Sequence, residues 1–215
     1  MNQAAAVRRD AVLTAVDLAE RLGPVPMSRI RHDPPAGLGA EADVAAIYEC
    51  EGRLYELCDG VLVEKILSEF DARLANQVAE RLEDFVTEES LGQVRREDGL
   101  FRFAPGLVRA PDVSFVDERR WAALSTDGPI LNVTPDLAVE IISVGNTGEE
   151  MLRKLSDYMD GGTRMVWYIY PATKQVHVFT APERLTTLNE PDTLDGGDVL
   201  PRFRLPLREL FARSP

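Results

Sequence analysis

Two acidic segments hold the residues with which this chain could do chemistry. Asp112 lies in the short run Arg109-Ala110-Pro111-Asp112-Val113, and Glu140 lies inside Pro135-Asp136-Leu137-Ala138-Val139-Glu140-Ile141-Ile142-Ser143. A charge placed in an apolar strand loses its hydration, so Glu140 needs a cation or a tight partner there. A divalent metal is the economical partner. Hard cations such as magnesium or manganese take oxygen ligands and keep several waters, so one or two protein carboxylates suffice to hold them. An ion held by Asp112 and Glu140 would stabilise charge on a scissile phosphate and lower the pKa of a bound water. Lys154, a short way downstream, offers an ammonium to support the nucleophile or the developing negative charge. Together these residues point to hydrolysis of a phosphodiester.

Positioning them takes a strand followed by a helix. Residues 137–142 form a short run rich in β-branched side chains, the pattern of a central strand buried on both faces. Met151, Leu152, Leu155 and Tyr158 then define a helix that Gly161-Gly162 ends. Lys154, three residues after Met151 and four before Tyr158, falls on the edge of that apolar stripe. A plainer reading has Lys154 snorkelling at the helix border and Glu140 paired with an arginine.

Around this pair the pattern predicts a hairpin at residues 55–63 with an Asp59-Gly60 turn, then a helix carrying Leu74, Val78, Leu82 and Phe85. Residues 93–116 read as a meander of short strands, residues 165–170 as another buried strand, and Val176-His177-Val178 as a hairpin partner. Residues 181–198 are polar and read as loop, and residues 205–211 close the domain. At the other end, residues 10–22 have helical spacing through Val12, Ala15, Val16, Ala19 and Leu22, and Gly23-Pro24 stops them. Residues 32–43, with Pro34-Pro35, Gly37 and Gly39, read as a linker. The expected organisation is an N-terminal helix and linker over 1–44 and one core domain over 45–215. Its class is α/β, a mixed sheet with helices on its faces.

The chain has 215 residues, 45% hydrophobic and 28% charged, enough for one sizeable core. Cys50 and Cys58 have no metal-ligand spacing, which suits a reducing cytoplasm better than a disulfide framework or a zinc site. No run approaches the roughly 20 apolar residues of a membrane span, and charges such as Arg8, Arg9 and Asp10 interrupt any secretory apolar core. The net charge of −12 argues against nucleic acid, because Lys and Arg on phosphates supply most non-specific affinity. A local basic strip can coexist with an acidic remainder. Arg95, Arg96, Arg102 and Arg109 could form one, or could be ordinary solvated strand residues.

Other candidates carry less. Asp136 is expected to cap the Pro135 turn, and Asn146-Thr147 with Glu149-Glu150 has the composition of a helix N-terminus. His32 and His177 have no catalytic partner in the pattern, and neither does Ser143.

The segments R-A-P-D-V, P-D-L-A-V-E-I-I-S, R-K-L-S-D-Y with its following Gly-Gly, Y-E-L-C-D-G and D-V-L-P-R-F-R-L-P-L-R-E-L-F resemble the Uma-two family of restriction-endonuclease-like proteins, within the PD-(D/E)XK nuclease superfamily. The resemblance implies a restriction-endonuclease-like core with a central mixed sheet and a magnesium (or manganese) site. Asp112 matches the PD aspartate and Glu140 the second acid, with the carbonyl of Ile141 as the expected third protein ligand. Ile142 stands where the superfamily has its lysine, and Lys154 matches the lysine that the family carries on the next helix. Glu56, in the Y-E-L-x-D-G motif, is a further metal-approaching candidate, although its alternation with Tyr55 and Leu57 also describes a solvated strand face. Ser143-Val144-Gly145 departs from the family's S-P-S, and Tyr170 from its acid before Pro171. The implied activity is metal-dependent DNA endonuclease, with a homodimer by analogy with duplex cutters. The alternative is a non-catalytic module of the same fold that binds a protein partner.

Overall fold

The Asp59-Gly60 turn sets the first piece of structure. The computed structural model of the protein describes residues 13–124 and 128–212. Asp59 and Gly60 both take positive φ, 49° and 75°, the backbone that a tight two-residue hairpin demands. They join β1 (Tyr55–Cys58) to β2 (Val61–Glu64). Before the hairpin come α1 (Ala15–Leu22) and α2 (Glu41–Glu51). Thr14 caps α1 through a reciprocal pair with Asp17, and Leu18, Leu22 and Ile30 pack on Cys58, Val61 and Val63. The amides of Gly37 and Gly39 both donate to the carbonyl of Gly60, so the segment before α2 is tied to the hairpin. A side chain at Gly60 would collide with the Gly37 backbone.

After the hairpin run α3 (Glu69–Glu89), β3 (Gly92–Arg95), β4 (Leu100–Ala104), β5 (Leu107–Arg109), β6 (Val113–Asp117), α4 (Glu118–Ala122) and β7 (Ile130–Leu131). The chain continues through β8 (Leu137–Ile141), α5 (Gly148–Asp160), β9 (Met165–Tyr170), β10 (Gln175–Ala181) and β11 (Arg184–Asn189). It ends with β12 (Thr193–Asp195), β13 (Arg204–Pro206) and α6 (Leu207–Phe211). A six-stranded sheet has the order β11-β10-β9-β8-β6-β3, mixed because β8 and β9 run parallel while its other neighbours are antiparallel. A five-stranded sheet has the order β2-β1-β5-β4-β7, and β12 pairs with β13.

Alternation along β8 decides what faces what. Leu137, Val139 and Ile141 point to one side, where α3 lays down Leu74, Val78, Leu82 and Val86 in the main core with Phe115 and Trp167. Ala138 and Glu140 point to the other side, where α5 brings Met151, Leu155 and Tyr158. The central strand is therefore covered on both faces, as its composition predicts. Such helix-on-sheet contacts make truncation costly: Leu82→Ala in this core costs about 2–5 kcal/mol.

The structure departs from the sequence pattern in four places. Residues 93–116 are not one meander. β3 and β6 belong to the six-stranded sheet while β4 and β5 belong to the other, and the chain changes sheets at Ala110-Pro111. Residues 181–198 contain β11 and β12 rather than loop alone, held by ladder pairing with little burial in β11. The stretch expected as linker to residue 43 already contains the start of α2. The stripe of α5 is Met151, Lys154, Leu155 and Tyr158, with Leu152 67% exposed. Val12 lies outside the described residues.

Candidate functional site

Asp112 and Glu140 meet because of strand register. Val113 pairs with Val139 across β6 and β8, and the amide of Asp112 donates to the carbonyl of Val139 at 2.9 Å, which sets Asp112 beside Glu140 at the strand ends. The Ile141 amide donates to Asp112 Oδ2 at 2.6 Å and fixes that carboxylate. From the α5 face, Lys154 Nζ reaches Glu140 Oε1 at 3.1 Å, and the Tyr158 hydroxyl donates to the same oxygen. Tyr168 seats the helix by donating from its hydroxyl to the carbonyl of Met151. The lysine that snorkelling would leave at the helix border is instead enclosed, its side chain 4% exposed, and Glu140 pairs with lysine rather than arginine.

The second sheet supplies Glu56 and Arg109. Leu57 pairs with Val108, which brings Glu56 of β1 next to Arg109 of β5. Glu56 Oε1 lies 2.9 Å from Lys154 Nζ and accepts from the Ala110 amide at 3.2 Å, while Oε2 accepts from Arg109 Nη1 at 2.9 Å. Arg109 also pairs with Asp157 of α5. Glu56 is thus buried rather than on a solvated face, and both of its oxygens hold cations or the backbone.

Lys65, just after β2, completes the cluster. Its Nζ lies 2.6 Å from Asp112 Oδ1 and 3.6 Å from Glu140 Oε2, and it donates to the carbonyl of Ala110. No sequence motif singled it out. One signal was available: only three of the chain's 24 basic residues are lysines, Lys65, Lys154 and Lys174, and two of them converge on Glu140.

Electrostatics divide the cluster. Burial works against ionisation of Glu56, but the charges of Lys154, Arg109 and Lys65 prevail and hold it well below the usual glutamate range. Burial also works against the Lys154 ammonium, yet Glu140 and Glu56 raise it above an ordinary lysine, so it stays protonated. Asp112 goes the other way. Burial outweighs the help of Lys65, the Glu140 charge adds to the rise, and the carboxyl is pushed up to about 6.

The donor set suits a hard cation in part. Asp112 Oδ1 accepts no hydrogen bond of good geometry, and it and Glu140 Oε2 face one point, now taken by Lys65 Nζ. Two carboxylate oxygens converging on one cation fit an ion that keeps most of its waters. Among the described residues no group of three or more His, Cys, Asp or Glu side chains could hold a metal ion. Asp136, expected to cap a turn, instead accepts from the Asp117 amide and pairs with Arg120. Glu150, beyond the Thr147 cap of α5, pairs with Arg29 at 3.0 Å. The basic strip does not form: Arg95, Arg96, Arg102 and Arg109 each pair with an acid.

A cleft of about 710 Å³ lies next to the cluster, lined by Arg29, Ile66, Phe70, Ile142, Val144 and Pro171 among others. Val144, where the family motif has proline, is on its rim, and the loop is held by the Asn146 side chain accepting from the Ser143 amide. Tyr170 packs its ring against His177.

A mixed sheet with helices on both faces is the architecture of a restriction-endonuclease-like core. A crystal structure from Anabaena variabilis ATCC 29413, described as that of a "putative nuclease belonging to DUF820", is similar to this chain with a TM-score of 0.65 and 18% identity. The match covers 74% of this chain and 90% of that one. At that identity the likeness speaks for the fold alone. The family model of Uma2, described as "Putative restriction endonuclease", matches residues 42–208, and the chain belongs to that family. No curated protein matches the chain. Among the described residues no helix is long and apolar enough to cross a membrane.

Proposed function

We propose that the protein is a metal-dependent endonuclease that hydrolyses DNA phosphodiester bonds. The observation that carries this reading is the convergence of Asp112 and Glu140 on a single cation point beside the buried ammonium of Lys154. Asp112 and Glu140, with the carbonyl of Ile141, would hold magnesium or manganese, which when bound supplies Lewis-acid charge at the phosphate. Lys154 keeps its proton and has three donors, two of them directed at Glu140 and Glu56, so the third can address negative charge developing on the substrate. Glu56 serves here as the residue that holds Lys154 and Arg109, and direct ligation would require it to release one of them. In this reading the nuclease domain expected over 45–215 takes in the whole of α2, with α1 and the segment after it as an N-terminal extension, and the protein works in the cytoplasm as a homodimer.

The test is cleavage of DNA with and without magnesium. Asp112→Ala and Glu140→Ala should each abolish metal-dependent cleavage while circular dichroism shows a retained fold, and full activity in both variants would refute the assignment.

A second reading is a non-catalytic module of the same fold that binds a protein partner. The pairing of all four arginines of the expected basic strip, in a chain of net charge −12, favours it. Calorimetric titration with manganese separates the two: binding that is lost in the Asp112 variant supports the enzyme, and absence of binding supports the module.

A further inference from the structure

We infer that Lys65 is a built-in competitor for the divalent cation: its ammonium occupies the point between Asp112 and Glu140 in the metal-free protein, and a metal binds only as Lys65 leaves. This rests on the metal-dependent reading above and adds a residue that sets how much cation the site requires.

Three observations lead to it. The first is which oxygens Lys65 faces. Asp112 Oδ2 is taken by the Ile141 amide and Glu140 Oε1 by Lys154 and Tyr158, so Oδ1 and Oε2 are the lone pairs left to share, and Lys65 Nζ sits 2.6 Å and 3.6 Å from them. Its third contact is a further oxygen, the Ala110 carbonyl. An all-oxygen environment is what a hard cation also seeks. The second is charge. Glu56, Asp112 and Glu140 are balanced by Lys65, Lys154 and Arg109, and Arg109 is shared with Asp157. A dication added beside all three cations meets strong repulsion, whereas one that replaces Lys65 enters a net negative site.

The third is an exit. Among the described residues the Lys65 backbone is held by its amide donating to the Leu54 carbonyl, and the chain from Lys65 to Ser68 has no regular structure before α3. The next residue, Ile66, is 61% exposed and lines the 710 Å³ cleft. A flexible four-carbon stem can swing there without moving a strand. Lys154, on α5 and enclosed by two carboxylates, has no such route.

Two measurements on the full chain test this. The first is calorimetric titration with manganese of wild type, Lys65→Met, Lys65→Arg and Asp112→Asn. Lys65→Met should bind at least about tenfold tighter than wild type, because the competing charge is gone, and Lys65→Arg should not. Unchanged or weaker binding by Lys65→Met, with binding lost in Asp112→Asn, overturns the competition and leaves the nuclease reading standing. Undiminished binding by Asp112→Asn instead overturns that reading. The second is read on the wild type and does not depend on metal binding by the variants. With only three lysines, their 13Cε resonances are separable. Magnesium should shift the Lys65 signal, assigned by its absence in Lys65→Met, toward the position of a solvated lysine. A Lys65 resonance that stays in place at magnesium saturation overturns the proposal.

Discussion

Lys154 and Lys65 approach Glu140 through its two different oxygens, and their surroundings differ in kind. Lys154 rises from a 13-residue helix whose stripe is otherwise apolar, and two carboxylates and a tyrosine enclose the atoms around it. Lys65 extends from an irregular segment, with its side chain 7% exposed and a solvent-facing isoleucine next to it. On the Lys154 side the cations outweigh burial and Glu56 is held ionised; on the Lys65 side burial wins and Asp112 is pushed up to about 6. The cation-rich half is therefore fixed, and the half with Lys65 alone can exchange its cation, or take up a proton.

The sharpest way to break this comparison is to remove each lysine in turn. Lys154→Met leaves Glu140 and Glu56 buried without their shared cation, and urea denaturation at pH 7 should show a loss of about 3–5 kcal/mol. Lys65→Met should lose less, about 1–3 kcal/mol, because Asp112 can take a proton at a cost of about 1.4 kcal/mol per pH unit. Equal losses would remove the distinction. The sign of the pH effect follows: without Lys65 the Asp112 carboxyl rises further and takes its proton at a higher pH than in wild type. The Lys65→Met deficit should therefore shrink as pH falls toward 6 and level off below it, where the wild-type carboxyl is protonated too.

Glu56 gives the opposite sign. Its value is depressed in the folded state, so its contribution is present above the usual glutamate value and is lost as pH falls below it. Glu56→Gln should be less stable than wild type at neutral pH and nearly level with it in strong acid, read from urea midpoints across the acid limb. The smallest effect is expected at an exposed pair far from the site. Arg81→Ala, which removes the contact to Glu209, should change stability by less than about 1 kcal/mol, and a larger loss would mean that surface pairs count here as buried ones do.

Much of the frame was legible because local rules governed it. The Asp59-Gly60 turn, the α3 stripe and the buried run of β8 each follow from a few neighbouring residues, whereas the pairing of Glu140 with Lys154 did not, since the pattern offered a metal or an arginine as its partner. Lys65 was not, because its role depends on a partner 47 positions away that no period or motif connects to it. The change of sheet at Ala110-Pro111 was hidden for a similar reason: two short strands separated by a proline look alike whether or not they share a ladder. β11 escaped because its residues are nearly all exposed, so hydrogen bonding to β10 defines it and hydrophobic pattern does not.

The crossing at Ala110-Pro111 also bears on the order of folding. Glu56 and Arg109 belong to one sheet, Asp112 and Glu140 to the other, and Lys154 to a helix laid on the second. Until the two sheets dock, these charges are far apart, hydrated and without function. The centre forms only with contacts distant in sequence, which close late because they require the largest loss of chain entropy. A chain still folding, or one with its sheets wrongly apposed, therefore carries no assembled centre.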